Sequence, residues 1–188
     1  QFGLSLPIVR DALGLRIAGL LDDNRREDID NITRADQNNN RTKAYRAVLV
    51  WEPEDWFNAR LAYHDLWDRF DIDMPIEGQG YGYDDRVALG EYRSTMRNDT
   101  EVAILELNAR LPNDWELTSV TSHQDNVIER YYDFDGSQVT GENQHVVSDV
   151  TGGWTSELRL SSQGNDRWDW TAGLFYYDSD SLTSVNVE

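Results

Sequence analysis

Two sets of side chains in this sequence could bind a ligand, and each set follows a pattern. Seven Arg and Glu residues recur between apolar neighbours, and such charges can pair with one another or bind a charged group of a ligand. They are Arg16, Arg46, Arg60, Glu106, Arg110, Glu157 and Arg159. Seven aromatic residues stand in long polar segments, where they could capture a ligand by stacking. They are Trp67, Phe70, Tyr81, Tyr83, Tyr92, Tyr131 and Tyr132.

Each set also has a purely structural interpretation. The charged residues could form the solvated face of a sheet, which would need no ligand. The aromatic residues could pack one loop against another, which would need none either. The residue types alone do not decide between these interpretations.

No motif in the sequence predicts catalysis or a metal centre. The three histidines lack the spacing of metal ligands: His64, His123 and His145. The glycine-rich segment 78–82 has no strand-to-helix context for nucleotide binding. Residues 133–136 are similar to the start of a calcium loop, but Gln144 stands where a bidentate Glu belongs. No spacing singles out an acid–base pair among the 35 carboxylates, and cysteine is absent, so we expect neither an enzyme nor a bound cofactor or metal.

Composition restricts the class of protein. The chain has 188 residues and a net charge of −18, and this acidity argues against a nucleic-acid partner, which needs a basic face. The mean hydropathy is −0.68, and no stretch approaches the ~18 apolar residues of a membrane helix. A transmembrane β-barrel is compatible with this value, because only alternate residues of its strands meet lipid.

Alternation of apolar and polar residues predicts the elements that position the charged set. The segment 13–21 alternates apolar with polar or small residues, which indicates a β-strand with one apolar face. Residues 1–5 are interpreted as the end of a preceding strand. Residues 6–11 are interpreted as a turn, because Pro7 is awkward in a central strand. The polar segment 22–40 is predicted to be a long loop.

Three further hairpins follow the same pattern. Tight turns are predicted at 52–55, 112–114 and 164–166. Long loops are predicted at 68–98 and 131–153, because these segments are polar and lack a period of two. The facing of the return strand at 116–130 cannot be assigned from the sequence, because Leu117 and Val120 fall on opposite faces.

Short turns that alternate with long loops are typical of an outer-membrane β-barrel. Trp51, Trp56 and Trp115 lie beside short turns, where a barrel has an interfacial girdle of aromatic residues. We therefore predict an all-β fold, an antiparallel transmembrane β-barrel, with about eight strands in this chain. The seven charged residues would then face the lumen, because a charge on the lipid face costs ~2–4 kcal/mol at mid-membrane. A soluble β-sandwich, whose strands also alternate, is the alternative on pattern alone.

Several segments resemble one family, the TonB-dependent outer-membrane receptors. Residues 156–162 (SELRLSS) followed by 170–177 (WTAGLFYY) are similar to a hairpin that is common in these receptors. Residues 6–9 leading to 15–19 (LRIAG) are similar to the start of their barrels, and the sequence LTSVTS at 117–122 also fits. The resemblance extends over essentially the whole chain.

This resemblance implies part of a barrel of about twenty-two strands that is plugged by an N-terminal domain. Such receptors lie in the outer membrane of bacteria and import scarce substrates with energy passed through TonB. Most take iron–siderophore complexes, and others take cobalamin, haem, nickel chelates or carbohydrates. The implied partners are the TonB complex, outer-membrane lipid and a small-molecule substrate such as an iron chelate. We expect residues 1–188 to be the N-terminal part of such a barrel, without the plug domain and the remaining strands.

Two other interpretations stay open on the sequence alone. A small closed barrel of about eight strands, with a structural or adhesive role, has a lumen that side chains fill. A soluble β-rich hydrolase or binding module would also have alternating strands. Dependence on detergent for solubility would separate the soluble protein from both barrels.

Overall fold

A computed structural model of the protein describes residues 1–24, 29–34, 38–73, 80–112, 114–133, 138, 144–162 and 168–187. Its strands are β1 (Phe2–Val9), β2 (Leu13–Asn24), β3 (Asp30–Asn31), β4 (Asn40–Glu54), β5 (Phe57–Ile72), β6 (Val87–Ala88), β7 (Ser94–Leu111), β8 (Trp115–Asp133), β9 (Gln144–Ser162) and β10 (Thr171–Val187). A short 3₁₀ turn covers Tyr83–Asp85. In the described part of the chain, no helix is long and apolar enough to cross a membrane.

Eight of the strands form one antiparallel sheet in the order β1-β2-β4-β5-β7-β8-β9-β10. The two-residue strands β3 and β6 pair with each other in parallel. The predicted all-β antiparallel fold with about eight strands is confirmed. Strands β1 and β10 are the edges of the sheet, and over the described ranges they do not pair with each other. These strands therefore do not form the small closed barrel considered above.

The register places leucines of successive strands side by side. One cross-strand row consists of Leu6, Leu15, Leu49, Leu61 and Leu105. A slip by one residue would move every leucine to the other side of the sheet, so the alternating pattern specifies the register. The side of the sheet that carries this row is called the apolar face, and the opposite side is called the polar face.

The apolar face is uncovered. Leu61 is 46% exposed and Leu105 is 41% exposed, and no second sheet packs on them among the described residues. A soluble β-sandwich would bury such a face against another sheet. Aromatic rings border this face at the short turns, where Trp51 lies 5.7 Å from Phe57 and Trp115 lies 5.3 Å from Trp170, between ring centroids. The one-layer arrangement is that of a barrel wall rather than of a sandwich.

The strands are longer than the alternation predicts. Three predicted loops begin or end inside strands, which continue to Asn24, Ile72 and Asp133 and resume at Asn40, Ser94 and Gln144. Polar cross-strand pairs stabilise these additional strand residues. The Arg130 guanidinium lies 2.9 Å from the Asp149 carboxylate, and the Arg97 guanidinium lies 3.6 Å from Glu129. Opposite charges on facing strands stabilise the pairing of those strands. Strand ends of this kind need no apolar residues, so alternation in the sequence does not reveal them.

The predicted turn at 6–11 is wrong over most of its length, because β1 continues through Pro7 to Val9. An edge strand tolerates proline, since one of its sides has no ladder to which an N–H must be donated. The register is irregular just beyond Pro7.

The pairing of β8 with β7 shows which residues of β8 lie on each face of the sheet. Leu117 pairs with Ala109 on the apolar face, and Val120 pairs with Glu106 on the polar face.

Candidate functional site

The polar face gathers the whole predicted charged set. By register, these residues all lie on one side of the sheet: Arg16, Arg46, Arg60, Glu106, Arg110, Glu157 and Arg159. The Arg60 Nη1 lies 3.9 Å from the Glu106 Oε2, and the Arg159 Nε lies 3.3 Å from the Glu157 carboxylate. These partly exposed pairs contribute little to stability, so the charges remain available to a ligand or a partner.

Towards the short turns, the polar face carries a row of amide and hydroxyl side chains that are hydrogen-bonded to one another. The Asn108 amide donates to the Asn58 side-chain oxygen at 3.0 Å, and the Thr118 hydroxyl donates to the Asn108 side-chain oxygen at 2.9 Å. Hydrogen bonds of this kind order polar side chains that would otherwise face water. This part of the polar face is therefore a preorganised hydrophilic surface.

The polar face also has an apolar floor of buried Val48 and Ala62, which strict alternation does not predict. Val48 is 8% exposed and Ala62 is fully buried. A cavity of about 590 Å³ opens beside this floor, lined in part by Leu20, Arg46 and His64. In the sequence, such buried positions are indicated by continuous apolar runs such as Val48-Leu49-Val50, because a strand that has apolar residues on both faces does not alternate.

Segments at and beyond the ends of the long strands form a second polar site, called the loop cluster here: residues 30–34, 71–73 and 86–94. The pairing of β3 with β6 joins the first and last of these segments, and Val87, Ala88 and Leu89 form a small core at 9%, 1% and 3% exposure. Their sequence predicts only long polar loops. They instead pack on one another through contacts between residues far apart in sequence.

A buried ion pair joins two segments of the loop cluster. The Arg34 guanidinium lies 2.6 Å from the Asp73 carboxylate, and their side chains are 13% and 5% exposed. The Asn31 amide donates to Asp73 at 3.2 Å and to the Gly90 carbonyl at 2.9 Å. Arg34 also donates to the Tyr92 carbonyl. These bonds tie residues 31–34 to both of the other segments.

A second buried carboxylate, Asp71, anchors the end of β5. It is 1% exposed and lies 3.1 Å from the Arg93 guanidinium and 3.5 Å from Arg69 Nε. The backbone N–H of Asn39 donates to it at 3.0 Å. Asp133 extends the network to β8, since it accepts the Tyr92 N–H at 3.1 Å. The loop cluster is therefore held by paired charges and backbone hydrogen bonds.

The aromatic set is less concentrated than the sequence predicts. Trp67 and Phe70 lie in β5, and Tyr131 and Tyr132 lie in β8, so these four are strand residues rather than loop residues. The Trp67 ring packs under the Lys43 ammonium at 4.9 Å, on the apolar face. Between β5 and β7 lie Tyr81, Tyr83 and Tyr92. Ligand capture by this set stays a prediction.

The minor motifs have no further support. Residues 78–79 of the glycine-rich segment and residues 134–136 of the calcium-like motif lie outside the described residues. Asp133 of that motif is engaged in the loop cluster. Over the described ranges, no group of three or more His, Asp or Glu side chains is arranged to hold a metal ion.

The sheet, with its exposed apolar face and its charged opposite face, has the antiparallel β fold of one part of a β-barrel receptor. Among solved structures, the chain is similar to the ferric yersiniabactin uptake receptor FyuA from Yersinia pestis, with a TM-score of 0.76 and 19% sequence identity. The likeness covers 100% of this chain and 29% of that chain, so this chain spans less than a third of the receptor's length. Neither a protein-family model nor a curated protein matches the sequence.

Proposed function

We propose that the chain is part of a TonB-dependent receptor that imports a scarce small molecule across the bacterial outer membrane. The observation that supports this most is the uncovered apolar face of a one-layer antiparallel sheet. Leucines of four neighbouring strands form a row there, and the whole chain superposes on a β-barrel receptor. The segments that resemble TonB-dependent receptors lie in β1, β2, β8 and the β9–β10 hairpin of that sheet.

In this proposal the two faces of the sheet meet different solvents. The apolar face contacts lipid, and the polar face lines the interior of the barrel. The alternation agrees with the energetics, because each of the five arginines of the charged set would cost ~2–4 kcal/mol if it faced lipid at mid-membrane, and the two glutamates would cost less. Outer-membrane lipid is thus one partner of the chain, and the TonB complex acts through parts of the receptor outside this sheet.

The proposed substrate is an iron chelate. FyuA is a receptor for ferric yersiniabactin uptake, and the fold likeness to FyuA supports this class of cargo. The loop cluster is the proposed entrance, because long loops of outer-membrane barrels lie on the extracellular side and short turns lie on the periplasmic side. The arginines of the polar face then offer charge-assisted hydrogen bonds to an anionic chelate.

Uptake measurements test this proposal. Deletion of the gene should abolish energy-dependent uptake of radioactive iron from one member of a panel of ferric chelates, and a plasmid copy should restore it. The matched control is the same strain with its TonB function removed, which should lose the same uptake. Unchanged uptake of every ferric chelate, of cobalamin, of haem and of nickel chelates in the deletion strain would contradict the proposal.

A further inference from the structure

One band across the polar face contains no carboxylate. It consists of the three consecutive cross-strand rows that pass through Ala44, Arg46 and Val48 of β4, and it extends from β2 to β10. We call these three rows of the polar face the carboxylate-free band. Its cations are Arg16 and Arg46, although the whole chain has 35 carboxylates and a net charge of −18. The band is therefore a cationic region within a strongly acidic protein.

The nearest rows of the polar face that contain carboxylates lie two rows from Arg46 on either side. Those carboxylates are Asp22, Asp68 and Asp149 towards the long loops, and Glu106 and Glu157 towards the short turns. Each of the two rows is four residues from Arg46 along β4, or ~14 Å of strand at ~3.4 Å per residue. Asp149, Glu106 and Glu157 are already paired with arginines outside the band. The carboxylates of the polar face thus leave the band uncompensated.

Arg46 is the most available cation of the band. Its side chain is exposed, and within the part of the chain that the structure describes its guanidinium has no ion pair and no hydrogen bond. Arg16 has one hydrogen bond, at 3.4 Å to the Ser5 hydroxyl. His64 faces Arg46 across the pair of strands and has an imidazole N–H to donate. An anionic group that enters the band would therefore meet donors that are free to bind it.

The cavity of about 590 Å³ lies in this band, and most of its wall is apolar. Leu20, Leu66 and Ile104 form part of that wall beside Arg46. Asp65 also lines the cavity, but by register its side chain belongs to the opposite face of the sheet. A cavity of this size, apolar with a few polar groups, is typical of a small-molecule site. A hydrophilic anion would use the guanidinium alone, whereas an aromatic anion would use the guanidinium and the apolar wall together.

We propose that the carboxylate-free band binds the aromatic anionic groups, phenolate or catecholate, of an iron chelate. This inference rests on the proposed function, because it requires the polar face to line the interior of a receptor for such chelates. A guanidinium suits this ligand, since it pairs with anionic oxygens and also stacks on aromatic rings. The band is within reach of the proposed entrance, because His64 is seven residues along β5 from Asp71 of the loop cluster, or ~24 Å of strand.

The test uses the full-length receptor in detergent and measures affinities by isothermal titration calorimetry. The probes are ferric 2,3-dihydroxybenzoate, which is an aromatic anion, ferric citrate, which is a hydrophilic anion, and ferrioxamine B, which is a cation. The unsubstituted receptor should bind the aromatic chelate most tightly. Arg46→Gln should weaken that binding about tenfold, because a charge-assisted hydrogen bond is lost. Leu66→Ser should also weaken it about tenfold, by removing apolar contact, and should leave the binding of ferric citrate unchanged.

The matched control is Arg41→Gln, which removes an arginine of the same strand from the opposite face. It should change none of the three affinities. Equal effects of Arg41→Gln and Arg46→Gln would overturn the inference. A preference of the unsubstituted receptor for ferric citrate or ferrioxamine B, or no binding of ferric 2,3-dihydroxybenzoate at all, would also overturn it.

The remaining outcomes separate this inference from the proposed function. If Arg46→Gln lowers the melting temperature and leaves every affinity unchanged, the band contacts another part of the receptor and the inference is wrong. If the gene is required for import of a ferric chelate that Arg46→Gln and Leu66→Ser import normally, only this inference fails. If the gene is required for import of none of the substrates in the uptake panel, the proposed function fails and this inference fails with it.

Discussion

Replacing Ile17 by arginine is expected to destabilise the protein in a lipid bilayer by about 2–4 kcal/mol. Ile17 lies on the apolar face of β2, in a row with Ala47, Tyr63 and Ala103 that is next to the leucine row. In the proposed barrel this side chain faces lipid tails, where a guanidinium loses its hydration and finds no hydrogen-bond partner. Denaturant titration of the full-length protein in phosphatidylcholine vesicles measures the change.

The same strand provides a matched control. Leu20 has the same 38% exposure as Ile17 but lies on the polar face, beside the cavity of about 590 Å³. Leu20→Arg should therefore cost much less than Ile17→Arg, because the new charge would reach water in the barrel interior. If the sheet belonged to a soluble protein, both equally exposed positions would meet water. Equal costs for the two substitutions would contradict the membrane assignment of the apolar face.

Replacing Asp73 by alanine is expected to open the loop cluster, with a loss of about 3–5 kcal/mol in its local stability. The substitution removes the Asp73 carboxylate from the nearly buried Arg34 guanidinium, and Asn31 loses an acceptor. The eight-stranded sheet should persist, because none of its ladders contains Asp73. Hydrogen exchange reports the opening, since the Thr33 and Arg34 N–H groups, each 2.9 Å from Asn31 Oδ1, should exchange roughly a hundredfold faster or more.

The control for Asp73 is a pair with similar geometry and greater exposure. Asp23 and Arg41 lie 2.8 Å apart, with side chains 39% and 40% exposed. Asp23→Ala should cost ~1 kcal/mol or less, because water and salt already screen an exposed pair. Exchange rates at Thr33 and Arg34 that respond equally to both substitutions would contradict the account of the loop cluster. If this cluster is the entrance for substrate, Asp73→Ala should also reduce uptake, and Asp23→Ala should not.

The two faces of the sheet could be predicted because they follow from local alternation. A period of two assigns Arg16, Arg46 and Arg159 to one side without knowledge of any partner strand. The pattern also determines the register, since leucines of neighbouring strands must share the lipid side. The strand β8 shows where this signal ends. Its residues are mixed on both faces, and only pairing with β7 places Leu117 opposite Ala109.

The loop cluster could not be predicted, because its contacts join residues that are distant in sequence and carry no periodic pattern. Arg34 is 39 residues from Asp73, and Asn31 is 59 residues from Gly90. Polar residues that pair over such distances look like any other loop residues in the sequence. A cross-strand row of three arginines escaped prediction for a similar reason. The cross-strand register alone brings Arg41, Arg69 and Arg97 together.

The central claim is that the apolar face meets lipid and the polar face meets water, and cysteine labelling in intact cells tests it most directly. The chain has no native cysteine, so each introduced thiol is the sole target within it. Arg60→Cys and Arg46→Cys, on the polar face, should react with a water-soluble maleimide. Leu61→Cys and Ala47→Cys, their neighbours on the apolar face, should be spared until the membrane is dissolved in denaturant. Equal labelling of both faces in intact membranes, or labelling of the apolar face alone, would contradict the account.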